Sequence, residues 1–165
     1  MSIILKIILL TTSLLTALIA GLFYAFSCSV NLGLRHLDDA GYLKAMQHIN
    51  RAILNPWFFI SFFGALILLP ACTYLYYRYG ISQNNVQLLL AAALVYLIGV
   101  FGITVLGNVP LNEALDKFNI TSAAIEEIKI QRKNFEIPWN RLNLLRTIFA
   151  VITFVLVSLF SIIKR

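Results

Sequence analysis

Charge is scarce in this chain: Asp, Glu, Lys and Arg together make up 12% of its 165 residues, against about a quarter in an ordinary soluble domain. Apolar residues make up 60%, and the mean hydropathy is +0.85. Too little charge and too much apolar surface exclude both a water-soluble globule and a disordered chain. Two cysteines, Cys28 and Cys72, cannot form a disulfide framework, and eight glycines and four prolines exclude a collagen-like or low-complexity chain. Only two histidines are present, His36 and His48, both in one connection. That is a poor basis for axial haem ligation from membrane helices, and too few for a histidine-rich di-iron site. Without a Cys-x-x-Cys pair there is no thiol relay, and the two lone cysteines read as buried apolar fillers. The long apolar runs hold no Asp or Glu, so the intramembrane carboxylate of a proton-coupled exporter is missing.

What the chain has instead is four apolar runs. Residues 7–26, 56–77, 86–106 and 147–163 are free of charge, and about 20 residues at a rise of about 1.5 Å cross the hydrocarbon core. The reading is an all-α, four-span bundle, one integral membrane domain over 1–165, with the bilayer as its main partner and the plasma (inner) membrane as its location. The first run is long for a signal peptide and is read as a span. Asn55-Pro56 starts the second span as cap and first-turn proline. Pro70 predicts a kink within it, and Pro110 predicts the end of the third. Small residues at Ser13, Ala17, Gly21 and Ala25, at Ala92, Gly99 and Gly102, and at Thr147, Ala150, Ser158 and Ser161 predict close helix contacts. Nine basic residues on the longer connections against four on the other side place the longer connections in the cytoplasm.

The first connection reads as an amphipathic helix over 39–54: Tyr42, Met46, Ile49 and Ile53 share one face, and Gln47, His48 and Arg51 lie opposite. Asn50 falls on the flank and is the better placed to look inward. The second connection is polar, with a short helix predicted near 122–133 and Thr121 as its cap. Its basic residues alternate with glutamates as on a wet surface, and nothing supports nucleic-acid binding.

Polar side chains gather where the spans meet these two connections: Arg35, Gln47, His48, Asn50, Asn108, Asn112, Trp139, Asn143, Arg146 and Thr147. In an apolar mouth Arg146 suits an anionic or enolate oxygen, the asparagines suit a carbonyl or phenol, and Trp139 suits a ring. Plainer readings stand beside these. Arg146 also reads as a snorkelling arginine, Trp139 as an aromatic-belt anchor, Asn108 and Asn112 as caps, Asn50 as a helix–helix contact and His48 as solvated.

Three strings carry a resemblance: Gln47-x-x-Asn50-x-x-x-x-Asn55-Pro56-x-Phe58, Asn108-Val-Pro110-Leu-Asn112, and Trp139-x-x-x-Asn143-x-x-Arg146-Thr147. In this order and layout, with Gly21-x-x-Tyr24 before them, the chain resembles the anthrone oxygenase family. The resemblance implies a membrane enzyme that oxidises a lipid-soluble phenolic or polycyclic compound with O2, without metal or organic cofactor. It implies Arg146 and Asn143 as an oxyanion clamp, Asn108 and Asn50 as orienting groups and Trp139 as a ring platform, with Asn112 and Gln47 on the binding side. His48 is the base if the first connection folds inward. Leu144 stands where the family pattern has histidine, which removes an imidazole from the fourth span. The alternative is a non-catalytic multi-pass protein that binds a hydrophobic ligand or a partner protein.

Overall fold

A computed structural model describes residues 3–80 and 82–163. Five helices account for nearly all of it: α1 (Ile3–Leu34), α2 (Asp39–Ala52), α3 (Pro56–Arg78), α4 (Asn85–Lys117) and α5 (Ile125–Ile163). No strand occurs among the described residues. All but α2 are long and apolar enough to cross a membrane. Around the bundle α1 packs on α3 and α5, and α4 closes the ring between them, so consecutive spans run antiparallel with neighbours adjacent in sequence.

One apolar core runs through the bundle, from Leu5, Leu9, Ile19 and Phe23 of α1 to Leu69 and Tyr76 of α3, Leu89 and Tyr96 of α4, and Val157 and Phe160 of α5. Two buried tyrosines tie helices together through their hydroxyls: Tyr76 donates to the Leu5 carbonyl at 3.1 Å and Tyr96 to the Phe62 carbonyl at 2.9 Å. In hydrocarbon such a hydroxyl must find a partner, and a carbonyl with a spare lone pair supplies it. A second cluster covers one end of the bundle, where Tyr42, Leu43 and Met46 of α2 meet Leu115, Ile120, Phe135 and Trp139.

The amphipathic first connection is present as α2, capped by the Asp38 carboxylate, which accepts from the Gly41 N–H at 2.8 Å. The start of α3 also follows its signal, with the Asn55 side chain accepting from the Phe58 N–H. Three boundaries differ from expectation. Pro110 does not end the third helix; α4 continues to Lys117, with Val109 in helical geometry. Two π-helical stretches, Tyr96–Gly102 and Thr104–Asn108, precede the proline. They leave it in the first turn of the next α-helical segment, where a missing N–H is not required. The helix expected near 122–133 is not separate: it is the outer part of α5, which has 39 residues and is about 58 Å long. Thr121 therefore does not cap it; the Glu127 carboxylate receives the Ala124 N–H at 2.9 Å instead.

The small-residue expectation holds only in part. Gly21 and Ala25 face outward, and a Cβ on Gly21 would meet nothing, so α1 packs through its larger residues. Cys28 is exposed rather than buried, whereas Cys72 is buried against Thr12. Gly99 is a true close approach, since a Cβ there would strike the Phe149 side chain near its backbone attachment. Gly99→Ala should therefore lower stability by about 1–3 kcal/mol through overpacking, read as a lower melting temperature in micelles. Gly21→Ala should change it little. Lys164 and Arg165, two of the basic residues counted for orientation, lie outside the described residues.

Candidate functional site

Under α2, at the end of the bundle that carries the long connections, lies a cavity of about 140 Å3. Its wall is built from every helix. Phe23 and Phe26 come from α1, Asn50 from α2, Phe58 from α3, Thr104 and Asn112 from α4, and Trp139, Asn143 and Arg146 from α5. Three of these ride on one helix because their spacings of four and three keep them on one face, and all three are buried.

The centre of the wall is the Arg146 guanidinium, in a residue only 8% exposed. Its carbon stands 4.1 Å from the Phe23 ring centre and 5.3 Å from that of Trp139. Asn143 Oδ1 receives both Nε at 3.1 Å and a terminal nitrogen at 2.9 Å. Asn143 is itself aimed by Ser27, whose Oγ accepts from its Nδ2 at 2.8 Å. Ser27 belongs to a π-helical turn of α1, Phe26–Val30; it donates to the Phe23 carbonyl and lies 3.3 Å from the Thr147 hydroxyl. Phe26 and Ser27 follow the buried Phe23 by three and four residues, the spacing that keeps all three on one face of α1. Among the described residues no carboxylate lies within ion-pair range of Arg146.

Trp139 is buried rather than set in an interfacial belt. Its Nε1 donates to Asn112 Oδ1 at 2.7 Å, and its ring lies 4.7 Å from that of Phe26. Asn108 is fully interior: its Nδ2 reaches the Trp139 carbonyl at 3.4 Å, and its Oδ1 has no partner. It stands behind the wall rather than in it. Asn50 lines the cavity with a buried Nδ2 that has no partner.

The other expected residues lie elsewhere. His48 is on the exposed face of α2, so the condition for a base there is not met. Gln47 pins α2 to the end of α4, donating to the carbonyls of Leu115 and Phe118 at 2.8 and 3.0 Å. Arg35 is exposed, and its carbonyl accepts from Arg132. Arg132 also bonds Asp39, Glu136 and the Leu37 carbonyl, and covers the Tyr42 ring. Burial, with Glu136 nearby, pushes the Tyr42 phenol above its ordinary range, which keeps it neutral. Tyr24 and Leu144 face outward. Phe23, Phe26, Ser27 and Thr104 were not singled out from sequence. Only the one-turn spacing of Phe23 and Ser27 on α1 hinted at a shared face.

Among the described residues, no three His, Cys, Asp or Glu side chains gather as a metal site would need. The fold and cavity define a four-span membrane protein with an aromatic chamber around one interior cation. A family profile described as anthrone oxygenase matches residues 57–156, which includes Asn108, Asn112, Trp139, Asn143 and Arg146. The chain belongs to the anthrone oxygenase family. Neither a curated protein nor a solved structure matches it.

Proposed function

We propose that the protein takes up a lipid-soluble aromatic compound, holds it as a phenolate or enolate against Arg146, and exposes it there to O2. The observation that supports this reading is the guanidinium, a positive charge set among aromatic rings with no carboxylate to balance it among the described residues. Desolvating such an ion costs several kcal/mol, and an anionic ligand oxygen offsets that cost through charge-assisted hydrogen bonds. Asn143 fixes the fork of the guanidinium, and the rings of Phe23, Phe26 and Trp139 offer a dry surface for a flat ligand.

The lining contains no carboxylate, imidazole, thiol or amine. The proton of the carbon acid or phenol therefore leaves to water or to a base outside, and the protein's part is to lower the ligand's own pKa. An enolate so held is electron-rich at carbon and can pass an electron to O2; the carbon radical and superoxide combine to a peroxide anion, which takes a proton from water to give the hydroperoxide. Loss of water then leaves a ketone. One oxygen atom ends in the new carbonyl and the other in water, so no external reductant is consumed. Family membership supports anthrones as the first compounds to test.

A nitrophenol titration reads the anion site directly, because its phenolate absorbs in the visible. The bound probe should ionise about one pKa unit or more below the free probe. Its affinity should rise with pH up to the free probe's pKa and then level, since only the anion is favoured. A bound probe that ionises at higher pH than the free one would overturn the reading. Oxygen uptake with an anthrone panel then separates catalysis from storage. The lack of a base on the wall favours a second reading, binding without turnover, which predicts the same spectral shift and no uptake.

A further inference from the structure

Beside the cavity the end of α2 meets the end of α4. A second hollow of about 330 Å3 adjoins it there, bordered outward by Arg51, Glu113, Asp116 and Lys117. Four residues, Asn50, Leu54, Val109 and Asn112, line both spaces, so only their side chains stand between an inner chamber and an outer groove, at a neck. A space near 150 Å3 holds about one benzene ring, so the inner chamber, at about 140 Å3, holds one ring of the ligand and the rest of an anthrone-sized compound extends beyond it.

The chemistry of the neck and groove selects the part of the ligand that extends beyond that ring. At the neck, Leu54 and Val109 present apolar side chains, 65% and 37% exposed. Beside them the Asn50 amide has a buried, unpartnered Nδ2. Asn112 has committed its Oδ1 to Trp139, which leaves its N–H groups to donate. The neck thus offers donors to an ether, hydroxyl or carbonyl oxygen. In the groove the charges balance, two of each sign, and Arg51 and Asp116 are already paired at 2.6 Å. A second anionic group gains nothing there, whereas a neutral polar group is accepted.

We infer that chamber and groove are two halves of one site, and that the ligand is an elongated aromatic compound. This rests on the anionic-aromatic reading above. One ring and the oxyanion sit inward at Arg146, and the neutral, oxygen-bearing remainder of the ligand passes through the neck into the groove.

The test compares two 2-nitrophenols, one with a methyl group and one with a short oligo(ethylene glycol) chain at position 4, on the full chain in micelles. The parent protein should bind the chain-bearing probe at least about tenfold more tightly. Glu113→Trp, and independently Lys117→Trp, fill the outer groove at positions that do not line the inner chamber. Either should remove that advantage while leaving the methyl probe within about twofold of the parent. Equal affinity for the two probes in a parent whose binding still needs Arg146 overturns the two-compartment site alone. Variants that both weaken the two probes alike overturn it as well. Failure of the parent to bind either probe as its phenolate overturns the anion site and this inference together.

Discussion

Arg146→Met is expected to give a protein that melts at the same temperature as its parent or higher, yet cannot hold a phenolate. The two effects have separate causes. Arg146 is buried, stacked on Phe23, and unbalanced by any carboxylate among the described residues. Replacing a buried ion with a shorter, flexible apolar side chain removes a desolvation cost of several kcal/mol. The loss is one hydrogen-bonding partner for Asn143 Oδ1, which costs about 1–3 kcal/mol. The first quantity outweighs the second. Binding goes the other way: losing charge-assisted bonds to an anion should weaken a nitrophenolate about a hundredfold or more, and oxygen uptake should fall about 10²–10³-fold. Arg146→Lys keeps the charge but not the planar fork that meets Asn143, so it should recover only part of the binding. A Met variant that melts well below the parent would show that the arginine serves the fold, not a ligand.

Trp139→Ala should cost about 3–5 kcal/mol of stability, as truncation of a large buried ring does. The ring is 3% exposed and lies against Phe26 and Phe135, with centre separations of 4.7 and 6.2 Å. Its loss opens the cavity to the α2 side and removes the donor to Asn112. Trp139→Phe separates these contributions. It keeps most of the packing and leaves the Asn112 Oδ1 without its donor, at a cost of about 1–3 kcal/mol. Denaturant unfolding in mixed micelles reads both variants. An alanine variant as stable as the parent would return Trp139 to the role of an interfacial anchor.

Sequence reasoning reached the number of spans, the amphipathic α2 and the gathering of Asn50, Asn112, Trp139, Asn143 and Arg146, because each rests on a simple period or on charge-free length. It went astray where a helix departs from the regular period. The π-helical stretches of α4 shift the register ahead of Pro110, so a proline read as an end falls in a first turn. Phe26 and Ser27 share a face with Phe23 by regular spacing, but nothing in the sequence marks that face of α1 as the one turned to α5. The length of α5 was hidden for a different reason. Its outer half is polar and its inner half apolar, so hydropathy divides what the backbone joins. The burial of Trp139 depends on α2 covering it, a tertiary event that no local pattern encodes.

That undivided α5 has a mechanical consequence. Arg132, bonded to Asp39, Glu136 and the carbonyls of Arg35 and Leu37, grips the rod outside the bilayer, while Trp139, Asn143 and Arg146 sit further along the same rod. A tilt applied at the outer grip reaches them through Pro138, the weak point of the helix between grip and chamber, and ring, amide and guanidinium, all beyond that point, move together. Their mutual spacing survives such a movement; what changes is their distance from the opposite walls, so the chamber widens or narrows without losing its alignment.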